Sequence, residues 1–167
     1  MKKIILYLFS LCLTSQFFGQ EMTGIQLLEK AIEFHDPNGN WATFAETFHI
    51  TMKTPAKPDR NSTIHIDLQN EYFSQYVAQD KNSIEYTIDK EDCRILYNGK
   101  TPSEKEKTSN NLSCDRAVMY QNYYTYLYGL PMKLKDAGTI IDENIILKEF
   151  NGENYLVLKV TYEKEVG

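Results

Sequence analysis

This 167-residue chain has no apolar run long enough to cross a bilayer. Its longest apolar stretch is residues 4–13, behind Lys2 and Lys3 in MKKIILYLFSLCLTSQFFGQ. A basic start, a short apolar run and a polar end make a secretory signal peptide over residues 1–20, with cleavage expected near Gly19 or Gln20. Cys12 does not read as a lipid-attachment cysteine, because Leu11 precedes it where a small residue is needed. The protein is therefore expected to be periplasmic or otherwise exported, with no stable membrane insertion.

Positive charge is also in short supply. Without the signal, 167 − 20 = 147 residues remain, and 18 − 2 = 16 basic residues face 23 acidic ones, a net charge of −7. A surface this acidic has no general attraction for nucleic acid or anionic lipid. The remaining length suits one domain, residues 21–167.

Cysteine is nearly absent, and after the signal only Cys93 and Cys114 are left. Disulfides persist in an exported protein, so the two either bridge the loop NGKTPSEKEKTSNN or remain separate buried thiols. A bridge would stabilise the fold by about 3 kcal/mol through loop closure. Neither cysteine has a neighbour at CxxC or HxxxH spacing, so no zinc site and no cofactor is expected.

Catalytic and metal motifs are missing too. No G-x-S-x-G elbow occurs, and the three histidines fall on different elements. HDPNGNW places His35 beside Asp36, but neighbouring helical side chains diverge by about 100°, too far for a dyad. In DPNGNW the glycine also comes two places too early for a calcium loop. The segment reads as a helix stop followed by an Asx-type turn and a packed Trp41. His49 and His65 fall on the polar sides of their strands and make no metal site.

What the chain does have is periodicity. Thr23 and Gln26 form a capping box, and Ile25, Leu28, Ala31 and Ile32 make a helical stripe that Leu27 and Phe34 widen, predicting a helix over 23–35. Pro37 and Gly39 stop it. Phe44, Phe48, Ile50 and Met52 then alternate with threonines and His49, and Ile64, Ile66 and Leu68 alternate with Thr63, His65 and Asp67. Glu46 interrupts the first apolar face. EYFSQYVAQ, SIEYTID and CRILYNG complete an antiparallel meander with one wet face. Residues 99–112, with the charged run SEKEK, read as a mobile solvated loop.

A second helix is expected over residues 113–128, carrying Met119, Tyr120, Tyr123, Tyr124 and Leu127, capped by Gly129 and ended by Pro131. Its tyrosines suit a lid over a cavity, rings inside and hydroxyls at the rim, or equally a helix packed on a sheet with wet tips. TIIDENIILKEF and YLVLKVTYEKE, joined by NGEN, are the last strands. The final strand alternates strongly up to the C-terminus, which predicts further strands beyond Gly167 and a domain incomplete at that end.

This order of elements resembles the periplasmic lipoprotein carriers of the LolA and LolB type. LLEKAIEFHDPNGNW and YLYGLPMKLKDAGTII resemble two motifs of an exported Gram-negative bacterial family of unknown function with that fold. The resemblance implies an α+β fold, an incomplete half-barrel of curved antiparallel sheet with two helices on its concave face. It also implies longer relatives with further strands. The motifs contribute His35, Asp36, Pro37 and Trp41, then Tyr126, Leu127, Gly129, Leu130, Pro131 and Lys133. For a basic lid residue the candidate is Arg116.

The expected function is non-enzymatic binding or carriage of a lipid, acyl chain or other hydrophobic molecule. Phe44, Phe48, Ile50, Met52 and Ile64 would line the cavity from the first two strands, with Ile66 and Leu68 beyond them. Tyr120, Tyr124 and Leu127 would close it from the helix. The alternatives are an envelope interaction or structural protein with a filled core, and a hydrolase, which would need His49, His65 and an acid brought together in one cleft.

Overall fold

The computed structural model describes residues 22–164. The proposed signal peptide at residues 1–20 lies outside the described residues. The described residues divide into two compact units, 31–136 and 22–30 with 137–164. The protein is α+β: three helices, an open five-stranded antiparallel sheet and a separate two-stranded sheet lie among the described residues. Two helices and one continuous sheet were expected from the sequence.

Helix α1 spans Gly24–His35, and the unit boundary falls inside it. The Thr23 Oγ1 accepts from the Gln26 amide at 3.3 Å, and Gln26 Oε1 accepts from the Thr23 amide at 3.0 Å, closing the capping box. Leu28 is buried, but Phe34, counted in the apolar stripe, is 82% exposed.

In the unit 31–136, five strands run β1 (Ala45–Met52), β2 (Arg60–Asp67), β3 (Tyr72–Gln79), β4 (Asn82–Asp89) and β5 (Asp92–Tyr97). Each pairs antiparallel with the next, giving the order β1-β2-β3-β4-β5 with open edges at β1 and β5. The register puts Phe48 opposite Ile64, Ile64 opposite Gln75, Gln75 opposite Tyr86 and Tyr86 opposite Ile95. Because side chains alternate along a strand, that row defines the inner face. The outer face carries Thr47, His49, Thr63 and His65, which pair across strands as Thr47 with His65 and His49 with Thr63.

Residues 99–112 are not a free loop. Helix α2 occupies Glu104–Asn110. Ser103 caps it: its hydroxyl accepts from the Glu106 amide, and the Glu106 carboxylate accepts from the Ser103 amide at 2.8 Å. Lys107 pairs with Glu104 at 2.8 Å. The helix buries no residue, so local capping rather than an apolar stripe holds it.

Helix α3 spans Cys114–Tyr128 with Ser113 as its N-cap, and it packs on β3, β4 and β5. A disulfide joins Cys114 to Cys93 in β5, with their Cα atoms 6.0 Å apart. The core lies between helix and sheet and contains Ile64, Ile66, Phe73, Tyr86, Ile88, Leu112, Ala117 and Tyr124.

The other unit holds the hairpin of β6 (Thr139–Phe150) and β7 (Glu153–Tyr162). Asn151 and Gly152 turn it with φ values of 51° and 83°, as an Asn-Gly turn matched to strand twist requires. The register shifts between Ile141 and Ile145. Within that irregularity Asp142 Oδ1 accepts from the Asn144 amide at 2.9 Å, which holds the Asp142 carboxyl below the usual range. Gly24 passes so close to the Asp142 carbonyl that a Cβ there would collide with it.

Candidate functional site

The tyrosines of α3 come four residues apart, so Tyr120, Tyr124 and Tyr128 line one helical face. They continue an aromatic row that starts on the chain before β1. Centroid spacings are 5.0 Å from Trp41 to Phe44, 6.0 Å on to Phe48 and 3.9 Å from Phe48 to Tyr128. Along α3 the steps from Tyr128 to Tyr124 and from Tyr124 to Tyr120 are each 6.3 Å, and Tyr120 meets Tyr86 at 5.8 Å. The row ties the helix to the inner face of the sheet from end to end.

Beside this row, a cleft of about 530 Å³ opens between α3 and the paired ends of β1 and β2. Ile50, Met52 and Arg60 form the sheet side. Met119, Tyr120, Tyr123, Tyr124, Leu127 and Tyr128 form the helix side. Met52, Met119, Tyr123 and Leu127 are all more than 40% exposed, so the cleft is an open one with an apolar rim.

Of the ten residues expected to line a cavity, Ile50, Met52, Tyr120, Tyr124 and Leu127 lie in the wall of this cleft. The other five sit elsewhere. Ile64 and Ile66 are buried in the core, and Phe44, Phe48 and Leu68 pack against it. Four-residue spacing along a helix places side chains reliably, whereas alternation along a strand does not say how deep under the helix a residue lies.

The hydroxyls of Tyr124 and Tyr120 have side-chain donors, whereas Tyr123 is 57% exposed. Tyr124 is 6% exposed, and Gln75 Nε2 donates to its hydroxyl at 3.4 Å. The Arg116 guanidinium donates to the Tyr120 hydroxyl at 3.0 Å and lies over that ring, 5.4 Å from its centroid. Burial pushes the Tyr124 and Tyr86 phenols above the ordinary range, and the nearby positive charges of Arg60 and Arg116 partly offset this.

Arg60, Ser62 and Gln75 are inward-facing polar residues that the alternation argument did not single out. Ser62 and Gln75 are 4% and 1% exposed, and Ser62 Oγ and Gln75 Oε1 have no hydrogen-bond partner among the described residues. The available signal was a polar residue at an apolar phase: 60 and 62 continue the phase of Ile64 and Ile66, and Gln75 that of Phe73. Glu46 shares the inner phase with Phe44 and Phe48 but is exposed.

The HDPNGNW segment is held by its own backbone. His35 Nδ1 contacts the Ala31 carbonyl oxygen at 2.8 Å. The two Asp36 oxygens accept from the amides of Asn40 and Trp41 at 2.7 and 2.9 Å, securing a short 3-10 helix over Asn40–Thr43. Each member of the pair therefore has a separate structural partner. The second motif meets the first at Gly129, where a Cβ would collide with the Trp41 ring, the Lys133 side chain and the Thr125 carbonyl oxygen. Leu130–Pro131 is a cis peptide bond, and Lys133 pairs with Asp136.

His49 and His65 each contact a threonine across β1 and β2, at 3.2 and 2.9 Å, on the outer face. Among the described residues no three His, Cys, Asp or Glu side chains converge as metal ligands. No described helix is long and apolar enough to cross a membrane.

Fold and site together define an α+β protein with an open antiparallel sheet and an apolar cleft beneath a tyrosine-rich helix. The chain belongs to a family of unknown function, DUF6503, whose pattern matches residues 2–167. No curated protein and no solved structure matches it.

Proposed function

We propose that this is an exported, periplasmic or envelope protein that binds or carries a hydrophobic molecule, a lipid or acyl chain, without catalysing a reaction. The observation that carries this reading is the cleft between α3 and the ends of β1 and β2. Its volume of about 530 Å³ lies within the roughly 300–1,000 Å³ usual for small-molecule sites. Its walls are methionine, leucine, isoleucine and tyrosine with a single charged group. Burying an acyl chain there gains about 0.8 kcal/mol per methylene, so a long chain offsets the cost of association. The N-terminal signal motif and the helix–meander–helix order support placing it with the LolA-type carriers.

Native mass spectrometry of the protein purified from membrane-containing lysate tests this. An adduct of lipid mass, removed by organic extraction and restored by added fatty acid, is expected. Absence of such an adduct, with no displacement of a fluorescent fatty acid, contradicts it.

A second reading, an envelope interaction protein with a solid interior, is favoured by the core alone. Ile64, Ile66 and Phe73 are at most 1% exposed, so that part of the inner face is filled by side chains. The open cleft toward Met52 and Leu127 supports the ligand reading over this one.

A further inference from the structure

Among the described residues, Arg60 is the one charged residue lining the cleft. It opens β2, opposite Met52 on one side and Gln79 on the other, in the inward phase of the sheet. Its side chain is partly buried, and its Nε is shut from solvent with no hydrogen-bond partner among the described residues. It takes part in none of the ion pairs formed among those residues. A guanidinium has no use for a greasy wall: it is strongly donating, always charged, and costly to desolvate without an acceptor. One pleat further along the same face, Ser62 is 4% exposed and its hydroxyl is equally unpartnered. Ser62 does not line the cleft, so Arg60 alone brings an unsatisfied donor to a wall otherwise made of isoleucine, methionine, leucine and tyrosine.

We infer that the cleft selects amphiphiles with an anionic end: Arg60 receives the oxyanion of an acyl chain, a carboxylate or phosphate. The chain lies along Met119, Tyr123 and Leu127. This deepens the proposed function and rests on it. The mature surface is net negative, so a free anion is not drawn to the protein in general. Recognition has to come from a local cation, whose charge-assisted hydrogen bond is stronger than a neutral one.

The test is a binding comparison on the purified full chain in detergent-free buffer. The probes are a sixteen-carbon fatty acid, the alcohol and methyl ester of the same chain, a single-chain lysophosphatidate, and acetate. The acid and the lysophosphatidate should bind at least tenfold more tightly than the alcohol or ester, as a charge-assisted hydrogen bond predicts. The tighter of those two identifies the carboxylate or phosphate source. Acetate should not bind measurably. Arg60→Gln should bring acid and alcohol to within about twofold of each other, with the larger loss falling on the acid, and Arg60→Lys should restore part of the preference. Both variants should keep the wild-type circular dichroism spectrum, and should Arg60→Gln fail to fold, Arg60→Lys and the wild-type probe series decide. Equal wild-type binding of acid and alcohol overturns the inference and leaves the apolar cleft standing. A loss in Arg60→Gln that falls equally on both probes also overturns it. Failure of every chain-bearing probe overturns the proposed function as well.

Discussion

The Tyr128 ring of α3 lies flat on the Phe48 ring of β1, with centroids 3.9 Å apart and planes within 7°. It joins the last turn of the helix to the edge strand, at one end of the cleft. Aromatic pairs contribute about 0.5–1.5 kcal/mol beyond the area they bury. A double-mutant cycle with Phe48→Leu and Tyr128→Leu should give a coupling in that range by urea denaturation. Coupling near zero would mean that the stack is incidental to stability.

Gly129 is a second fixed point. Its φ of −87° suits any residue, so the need for glycine comes from the Trp41 ring, the Lys133 side chain and the Thr125 carbonyl crowding the place of a Cβ. Gly129→Ala should cost about 1–3 kcal/mol by overpacking. Trp41 is the sole tryptophan, so its emission should shift in the same variant. An alanine that leaves both stability and emission unchanged would remove the proposed contact between the two sequence motifs.

The disulfide between Cys93 and Cys114 fastens the first residue of α3 to β5 across a separation of 21 residues. Closing a loop of that length stabilises by about 3 kcal/mol in the chain-entropy account. The Cys93→Ala, Cys114→Ala double variant should lose about that much in a denaturant titration. Dithiothreitol should lower the wild type toward it and leave the variant unaffected. A reductant effect on the variant would contradict this.

Glu106 supplies a pH dependence. The Ser103 hydroxyl and then the Ser103 backbone amide donate to its carboxylate and hold it below the ordinary glutamate range. A carboxyl lowered by folding stabilises above its unfolded pKa of about 4.3, and the gain vanishes as pH falls through the folded value. The difference in thermal midpoint between wild type and Glu106→Gln should therefore be present at pH 7 and shrink as the pH falls below the unfolded value and through the lower folded one. A difference that stays constant down to pH 3 would show that the charge of this capping box is idle.

Much of the architecture was legible because its signals are local. Alternation in residues 44–52 and 63–68 marked strands, Asn151-Gly152 marked a turn, and the Thr23–Gln26 box marked a helix start. Helix α2 was missed because it has no apolar stripe, although Ser103 and Glu106 carry the same capping pattern. The separation of β6 and β7 from the meander depends on long-range pairing, which periodicity does not encode. At the site, the helical spacing of Tyr120, Tyr124 and Leu127 translated directly into a cleft wall. Arg60, Ser62 and Gln75 were hidden because they look like polar interruptions until the register puts them on the inner face. Gly129 was read from its identity as a helix ender, whereas the structure ties it to Trp41, far away in sequence.

The most direct test of the ligand reading is photo-crosslinking of the full chain with a fatty acid bearing a diazirine in its acyl chain, mapped by tandem mass spectrometry. Adducts on Met52, Met119, Tyr123 and Leu127, competed away by unlabelled fatty acid, are the predicted result. Labelling confined to the β6–β7 hairpin, or no competable labelling at all, would contradict the account.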